Sequence, residues 1–331
     1  MKGILKDLVV ALLLGMVLPG IVLNGAVLAL ERMEAVLPEV AAEEIQLETP
    51  EQAVAVNIRL RGPDGTWEET DLDAYLVGVV LAEMPASFEE EALKAQSVAA
   101  RTYVWKANIT GGKHGDGSVC TQSECCQGYL SQEDYISKNG SWENLEKVRN
   151  AVYATSGQVL TYDGQLIEAT YFSCSGGSTE DAQAVWGAEL PYLQSVDSPG
   201  EEAAAGFWDR EVFSFEDFQK ELGVTLEGEP EDWFGQITYT KGGGVASMEI
   251  GGESYAGTLL RSKLNLRSTA FSVAVGEQIV ITTRGYGHRV GMSQYGAEAM
   301  AVDGAIFSEI LAHYYQGTVL EEYIDTTAEF G

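Results

Sequence analysis

Residues 72–85 read Leu72-Asp73-Ala74-Tyr75-Leu76-Val77-Gly78-Val79-Val80-Leu81-Ala82-Glu83-Met84-Pro85, and this stretch decides the fold. Leu72, Tyr75, Leu76, Val79 and Val80 recur at helical spacing and make one apolar stripe. Thr70 with Asp73 three residues later resembles a capping box that opens the helix, and Pro85 ends it. Glu83 lies eleven residues after Leu72, about 20° from it around a helix of about 3.6 residues per turn, so its carboxylate projects on the apolar stripe. Desolvation there disfavours the charged form and raises the carboxyl pKa, as a general acid working near neutral pH requires. The plainer alternative is a helix-end Glu that reaches solvent or pairs with Arg101.

Working outward, Ser87 and Glu90 form a second cap pattern. The helix that follows runs to about Asn108, with Ala92, Ala95 and Ala99 spaced for close packing on a neighbouring helix. Upstream, Val54, Val56, Ile58 and Leu60 alternate at period two before the turn Gly62-Pro63-Asp64-Gly65, which reads as a hairpin. Downstream, 143–155 reads as a helix and 157–161 and 167–172 as strands. From about 202 to 268 the texture changes to a helix at 213–222 and short elements at 236–240, 246–250 and 259–264 between Gly-rich turns, as expected of a subdomain inserted in the main fold. Strands at 271–275 and 278–283 return to the core, and a closing helix falls within 297–315. The fold class expected is α+β: mixed helices and antiparallel strands forming a cleft, with an inserted smaller subdomain.

The chain has 331 residues, 45% of them apolar, which is enough for a sizeable core. Twenty Lys and Arg against fifty Asp and Glu give a net charge of −30, which disfavours nucleic acid as a partner. Thirty-seven Gly, fifteen Tyr and six Trp suit a turn-rich fold with aromatic surfaces able to grip an extended polar ligand such as a glycan. Lys2 and Lys6 precede an apolar run from Leu8 to Leu30, about 23 residues, long enough for a bilayer core of about 30 Å. The positive-inside rule then puts the body outside the cytoplasm. An uncleaved membrane anchor at 1–30 is the expectation; the alternative is a cleaved signal peptide, for which Val27-Leu28-Ala29 offers a site. Seven Glu between Glu31 and Gln52 make 31–52 an acidic stalk. The core is expected at 53–201 and 269–331, with 202–268 inserted.

Three further constellations carry chemistry. Tyr171-Phe172-Ser173-Cys174-Ser175-Gly176-Gly177-Ser178-Thr179-Glu180 runs an apolar strand into a hydroxyl-rich turn suited to bonding a sugar or an oxyanion. Glu180 and Asp181 offer a second carboxylate for the same cleft, or are solvated turn acids. The run from Arg284 to Ala297 combines glycines at 285, 287, 291 and 296 with the donors and acceptors of His288, Ser293, Gln294 and Tyr295. A buried, satisfied His288 is its plainer reading. Finally His114, Cys120, Cys125 and Cys126 make a plausible tetrahedral zinc set, although a disulfide from Cys120 is equally available outside the membrane, where Cys174 completes an even count.

Three stretches together resemble the stage II sporulation protein D family. They are Leu72–Leu76 through Glu83-Met84-Pro85 to Ala92–Tyr103, Tyr171–Gly177 with Trp186-Gly187 and Pro191-Tyr192-Leu193, and Gly287–Ala297. The likeness covers about 53–200 and 257–317. It implies a membrane-anchored lytic transglycosylase that cleaves denuded peptidoglycan glycan strands during sporulation and engulfment, with Glu83, the Glu before Met-Pro, as the catalytic acid. The same likeness implies Arg101, Tyr171, Ser173, Ser175, His288, Ser293, Gln294 and Tyr295 as substrate contacts. As partners it implies a peptidoglycan amidase and other engulfment membrane proteins, at the cell membrane. Some members of the family look like zinc binders through a His-x5-Cys-x4-His-Cys loop. The match here is His114-x5-Cys120-x4-Cys125-Cys126, with Cys125 in place of His, and the resemblance implies a structural zinc. Cys174 stands where the family pattern usually has Ser. Two other readings remain: a cysteine peptidase or amidase using Cys174 with His288 as base, and a non-catalytic amidase enhancer, a relative that carries the same domain as a binding module.

Overall fold

The computed structural model describes residues 56–62 and 64–323. The expected anchor, its alternative as a cleaved signal and the acidic stalk all lie outside the described residues. Among the described residues no helix is long and apolar enough to cross a membrane. The strands are β1 (Asn57–Arg61), β2 (Trp67–Asp71), β3 (Val119–Cys120), β4 (Gln158–Tyr162), β5 (Gln165–Leu166), β6 (Tyr171–Phe172), β7 (Trp208–Phe213), β8 (Phe234–Tyr239), β9 (Val245–Ile250), β10 (Glu253–Ala256), β11 (Phe271–Val275), β12 (Ile279–Arg284), β13 (Met292–Ser293) and β14 (Val319–Glu322). The helices are α1 (Leu72–Glu83), α2 (Glu90–Thr110), α3 (Gln132–Ser137), α4 (Trp142–Ala154), α5 (Ala182–Trp186), α6 (Phe215–Leu222), α7 (Gly257–Lys263), α8 (Gln294–Val302) and α9 (Phe307–Tyr314). Helices and largely antiparallel strands in small sheets make the α+β class expected.

Helix α1 is buried on every side from Leu72 through Leu81 apart from Asp73 and Ala74, not along one stripe, because it packs against α2, α3, α4 and β2 together. Its cap is Asp71, whose Oδ1 accepts from the Ala74 N–H at 2.8 Å, one residue on from the Thr70 expected. Thr70 is spent in the hairpin, opposite Ile58. Helix α2 likewise starts at Glu90 behind Glu89 with no side-chain cap, so Ser87 does not serve as one. The Glu89 N–H instead donates to Glu298 at 2.7 Å. Ala92, Ala95 and Ala99 are fully buried, and α2 packs on α4, α8, α9 and β4. Burying apolar area here contributes at about 25 cal/mol per Å².

A second apolar cluster joins Phe218, Trp233, Val245, Met248, Ile250, Leu260, Phe271, Ile279 and Ile281. Strands β11 and β12 therefore do not return to the first core. β12 lies between β11 and β7, with Ile279 opposite Phe213, so this second cluster takes in residues beyond 268. The alternation Phe271, Val273, Val275 and Ile279, Ile281, Thr283 is satisfied by either core, which is why the sequence pattern misplaces them.

Two parallel pairings shape the site. β3 lies beside β1, and β6 beside β13 with Tyr171 opposite Met292 and Phe172 opposite Ser293. The second pairing joins two segments about 120 positions apart in sequence. It needs Gly291, where a Cβ would fall 2.1 Å from the Thr170 carbonyl oxygen.

Candidate active site

Glu83 ends α1, and Met84 turns the chain into an extended conformation at once (φ −123°, ψ 146°), so the carboxylate faces out of the helix end and is half-buried. One oxygen accepts from the Gly128 N–H at 2.7 Å; the other is 3.5 Å from Gln294 Nε2. Gly128 is held there by a seat on α1 itself. Tyr129 stacks parallel to Tyr75 at 5.7 Å, and the Leu130 N–H donates to the Gly78 carbonyl at 2.9 Å. A Cβ on Gly78 would lie 2.2 Å from the Tyr129 ring. The glycine in the apolar stretch thus admits the loop that grips Glu83.

Glu83 lines a cleft of about 960 Å³ with Tyr103, Lys113, Tyr171, Ser173, Trp186, Tyr286, His288 and Gln294 among its walls. Tyr171 takes a hydrogen bond from Gln127 Nε2 at 2.9 Å, and burial, then the Glu83 charge, pushes its hydroxyl well above the ordinary tyrosine range. His288 packs its ring against Phe172 and Trp186, with centroids 5.5 and 5.3 Å away. Its Nδ1 accepts from the Val290 N–H at 3.2 Å. Burial first and the Arg261 charge second hold the imidazole down to about 4, so it is neutral at physiological pH.

The other expected contacts are placed differently. Arg101 is fully buried: its guanidinium pairs with Asp73 at 2.8 Å and donates to the Val152 carbonyl at 3.0 Å, joining α1 to α4. It is a strut, and it pairs with Asp73 in place of Glu83. Ser175 and Ser293 are buried and turned inward, both donating to Glu201. Glu201 also accepts from the Ser175 and Gly176 N–H groups and from Ser198, so one carboxylate ties the double-glycine turn to the start of α8. Tyr295 is half-buried, its ring edge-on to Phe88 at 5.1 Å. Nor does Glu180 reach the cleft or solvent: it is 1% exposed, as is Arg289, and the two pair at 2.9 Å. Asp181 accepts from the Ser195 N–H.

Sequence reasoning missed Gln127, Gly128 and Glu201. The first two directly follow Cys125-Cys126, and that adjacency was the available signal. Glu201 had none, since it acts across 92 positions.

His114, Cys120, Cys125 and Cys126 bring their ligand atoms within 4.8 Å of one another. His114 Nε2 is 3.6 Å from Cys126 Sγ and 3.8 Å from Cys125 Sγ, and the two sulfurs are 4.0 Å apart. Tetrahedral zinc, with bonds of about 2.0–2.3 Å, spaces its ligands about 3.5–3.8 Å apart, so the set fits a metal. The Cys125–Cys126 sulfurs stand far outside disulfide bonding, and all four cysteines are free thiols. The adjacent pair is bent as required by Gln122, whose carbonyl accepts from both the Cys125 and Cys126 N–H groups. Cys174 is fully buried away from this cluster, antiparallel to Tyr286, and burial pushes its thiol up to about 11. With no access and a disfavoured thiolate, it does not fit a Cys174–His288 nucleophile pair.

A cleft that sets Glu83, Glu124 and Glu168 among amide, phenol and indole groups can take a polar, extended ligand. The chain belongs to the stage II sporulation protein D family. The family model described as Stage II sporulation protein matches residues 64–162. Stage II sporulation protein D of Bacillus amyloliquefaciens is 42% identical over 261 residues, 77% of this chain and 75% of that one. The Bacillus subtilis protein of the same name is 41% identical over the same length, 77% of this chain and 76% of its own. An amidase enhancer of Bacillus subtilis is 30% identical over 307 residues, covering 75% of this chain and 40% of that protein.

Proposed function

We propose that the protein is a membrane-anchored lytic transglycosylase that cuts denuded peptidoglycan strands during sporulation. Glu83, as the acid, protonates the glycosidic oxygen between N-acetylmuramic acid and N-acetylglucosamine. The carboxylate then takes the proton of the muramoyl 6-hydroxyl, whose oxygen bonds to the anomeric carbon and leaves a 1,6-anhydro end. The substrate supplies the nucleophile, so one carboxylate suffices where most glycosidases use two. The observation that carries this reading is Glu83 at the cleft wall, its two oxygens facing Gly128 and Gln294. Gln294 and the Gly128 N–H orient the carboxylate, Tyr171 and Ser173 line the sugar path, and neutral His288 supports the opposite wall.

His114, Cys120, Cys125 and Cys126 would hold a zinc ion. With four protein ligands it supplies no reactive position and serves to fix the loop that ends at Gly128. The anchor at 1–30 would hold the body at the outer face of the cell membrane, beside an amidase that strips stem peptides first. The relative named amidase enhancer supports a second reading, in which the cleft binds glycan and stimulates an amidase without cutting.

The test is digestion of purified denuded strands by the full chain, with products read by mass spectrometry. Anhydro-muramoyl ends from wild type and none from Glu83→Gln are expected. Intact strands with wild type, together with amidase stimulation that survives Glu83→Gln, would establish the enhancer instead.

A further inference from the structure

Strand β7 is an edge of its sheet, whose order is β11, β12, β7. The Gly285 N–H donates to the Phe207 carbonyl at 2.8 Å, and the register continues with Asp209 opposite Thr283 and Glu211 opposite Ile281. The Arg284 N–H, opposite Trp208, donates at 2.8 Å to Ala270 on the β11 side. Alternate residues of an antiparallel ladder face the partner strand, so the N–H and C=O groups of Trp208, Arg210 and Val212 point away from β12. Among the described residues these groups have no hydrogen-bond partner. Trp208 is 60% and Val212 45% exposed, and neither a proline nor a bulge shields the edge.

Beside the second half of this strand lies a groove of about 380 Å³, between β7, α6 and the end of α7. Glu211, Asp217 and Glu221 line it against one base, Lys263, whose ammonium donates to the Leu222 carbonyl at 2.8 Å. Asp217 accepts from Ser214 Oγ at 2.7 Å, and none of the three carboxylates is in an ion pair among the described residues. Glu216 and Lys220 also stand on α6, outside that lining, with opposite charges. Asp209, on the strand face of Glu211, is paired with Arg267 at 3.2 Å. No residue of this groove lines the Glu83 cleft.

We propose that the β7 edge docks an extended segment of a partner protein, with alternating basic and apolar residues, as a further strand of the sheet. Residues opposite one another on neighbouring strands share a face. A residue opposite Glu211 therefore points toward the groove carboxylates, where Lys or Arg fits. Residues opposite Trp208 and Val212 lie on the outer face beside exposed apolar surface. Arg210 stands on that outer face and keeps bases off it. Backbone hydrogen bonds give the affinity, and the alternating side chains give the selection. The chain's own remaining segments do not match: 31–52 has seven Glu against one Arg, and 324–331 has two acids and no base. A second copy would bring the same carboxylates to the same groove, on a chain of net charge −30.

The experiment is titration of the full chain in detergent with a labelled peptide of four Lys-Val repeats, read by fluorescence anisotropy and by hydrogen exchange of 207–213. Wild type is expected to bind it with exchange slowed across that strand, and to bind a peptide of the same composition in separate Lys and Val blocks about tenfold more weakly. Val212→Pro removes an outward N–H that β12 does not use, and Glu221→Lys reverses a groove charge; each is expected to lose about tenfold in affinity. Block-peptide or Glu-Val-repeat affinity within about twofold of the Lys-Val peptide, or either variant within about twofold of wild type, would overturn the proposal. If Val212→Pro fails to fold, Glu221→Lys and the exchange of 207–213 carry the same decision. A wild-type dimer in sedimentation that Val212→Pro abolishes would assign the edge to a second copy and overturn the proposal as well.

Discussion

The two walls of the cleft are held together by different means. On one side, Glu83 accepts from a loop that is seated on Gly78 and Tyr75 through Leu130 and Tyr129 and that follows a His/Cys cluster able to hold a metal. On the other, the double-glycine turn and the His288 segment are locked by buried carboxylates, Glu201 with its serine and amide donors and Glu180 with Arg289. The first wall rests on an aromatic stack and backbone hydrogen bonds, the second on charge-assisted hydrogen bonds that cannot rearrange without leaving a charge unpaired. Glu83 thus sits on the wall that can be loosened, and the His288 segment on one that cannot.

Breaking the second wall has the largest effect on stability. Glu180→Ala strands the Arg289 guanidinium at 1% exposure and is expected to cost about 3–5 kcal/mol, read as a fall in the urea midpoint; loss below 1 kcal/mol would show the pair is dispensable. Next comes acidification. His288 is held near 4 in the folded protein against about 6.5 unfolded, so below about 6.5 the unfolded chain binds the extra proton and stability falls as pH drops toward 4. The contribution is on the order of 3 kcal/mol across that window, and His288→Gln should flatten this part of the stability-against-pH curve.

The first wall breaks more gently. Gly78→Ala puts a methyl into the Tyr129 ring and is expected to cost about 1–3 kcal/mol, with a larger proportional fall in glycan cleavage than Glu201→Gln gives for the same stability loss. Smallest in global stability is metal removal. Chelation should leave the thermal midpoint of the second cluster in place while hydrogen exchange of 120–130 speeds up; unchanged protection there would mean the cluster does not hold the Gly128 loop.

Much of this was legible in the chain. The hairpin, α1 with Glu83 at its end, α2 and α4 follow from spacing and breakers, because local pattern dictates them, while the single closing helix expected within 297–315 is two, α8 and α9. The caps slipped by one or two residues, since Thr70 was claimed by strand pairing and Glu89 by Glu298. β11 and β12 went to the wrong core because period-two alternation does not say which partner sheet receives it. Of the site, Glu83, Tyr171, Ser173, His288 and Gln294 reach the cleft, while Arg101, Ser175 and Ser293 carry the same motif chemistry inward as struts. Polar residues in a dense motif look alike in sequence whether they face a ligand or a buried carboxylate.

The most direct test is to digest denuded strands in ¹⁸O-labelled water with wild type and Glu83→Gln and weigh the new ends. Unlabelled 1,6-anhydro ends from wild type, lost in Glu83→Gln, are the outcome expected of one carboxylate acting on a substrate that provides its own nucleophile. Labelled reducing ends, or cleavage undiminished without the Glu83 acid, would contradict it.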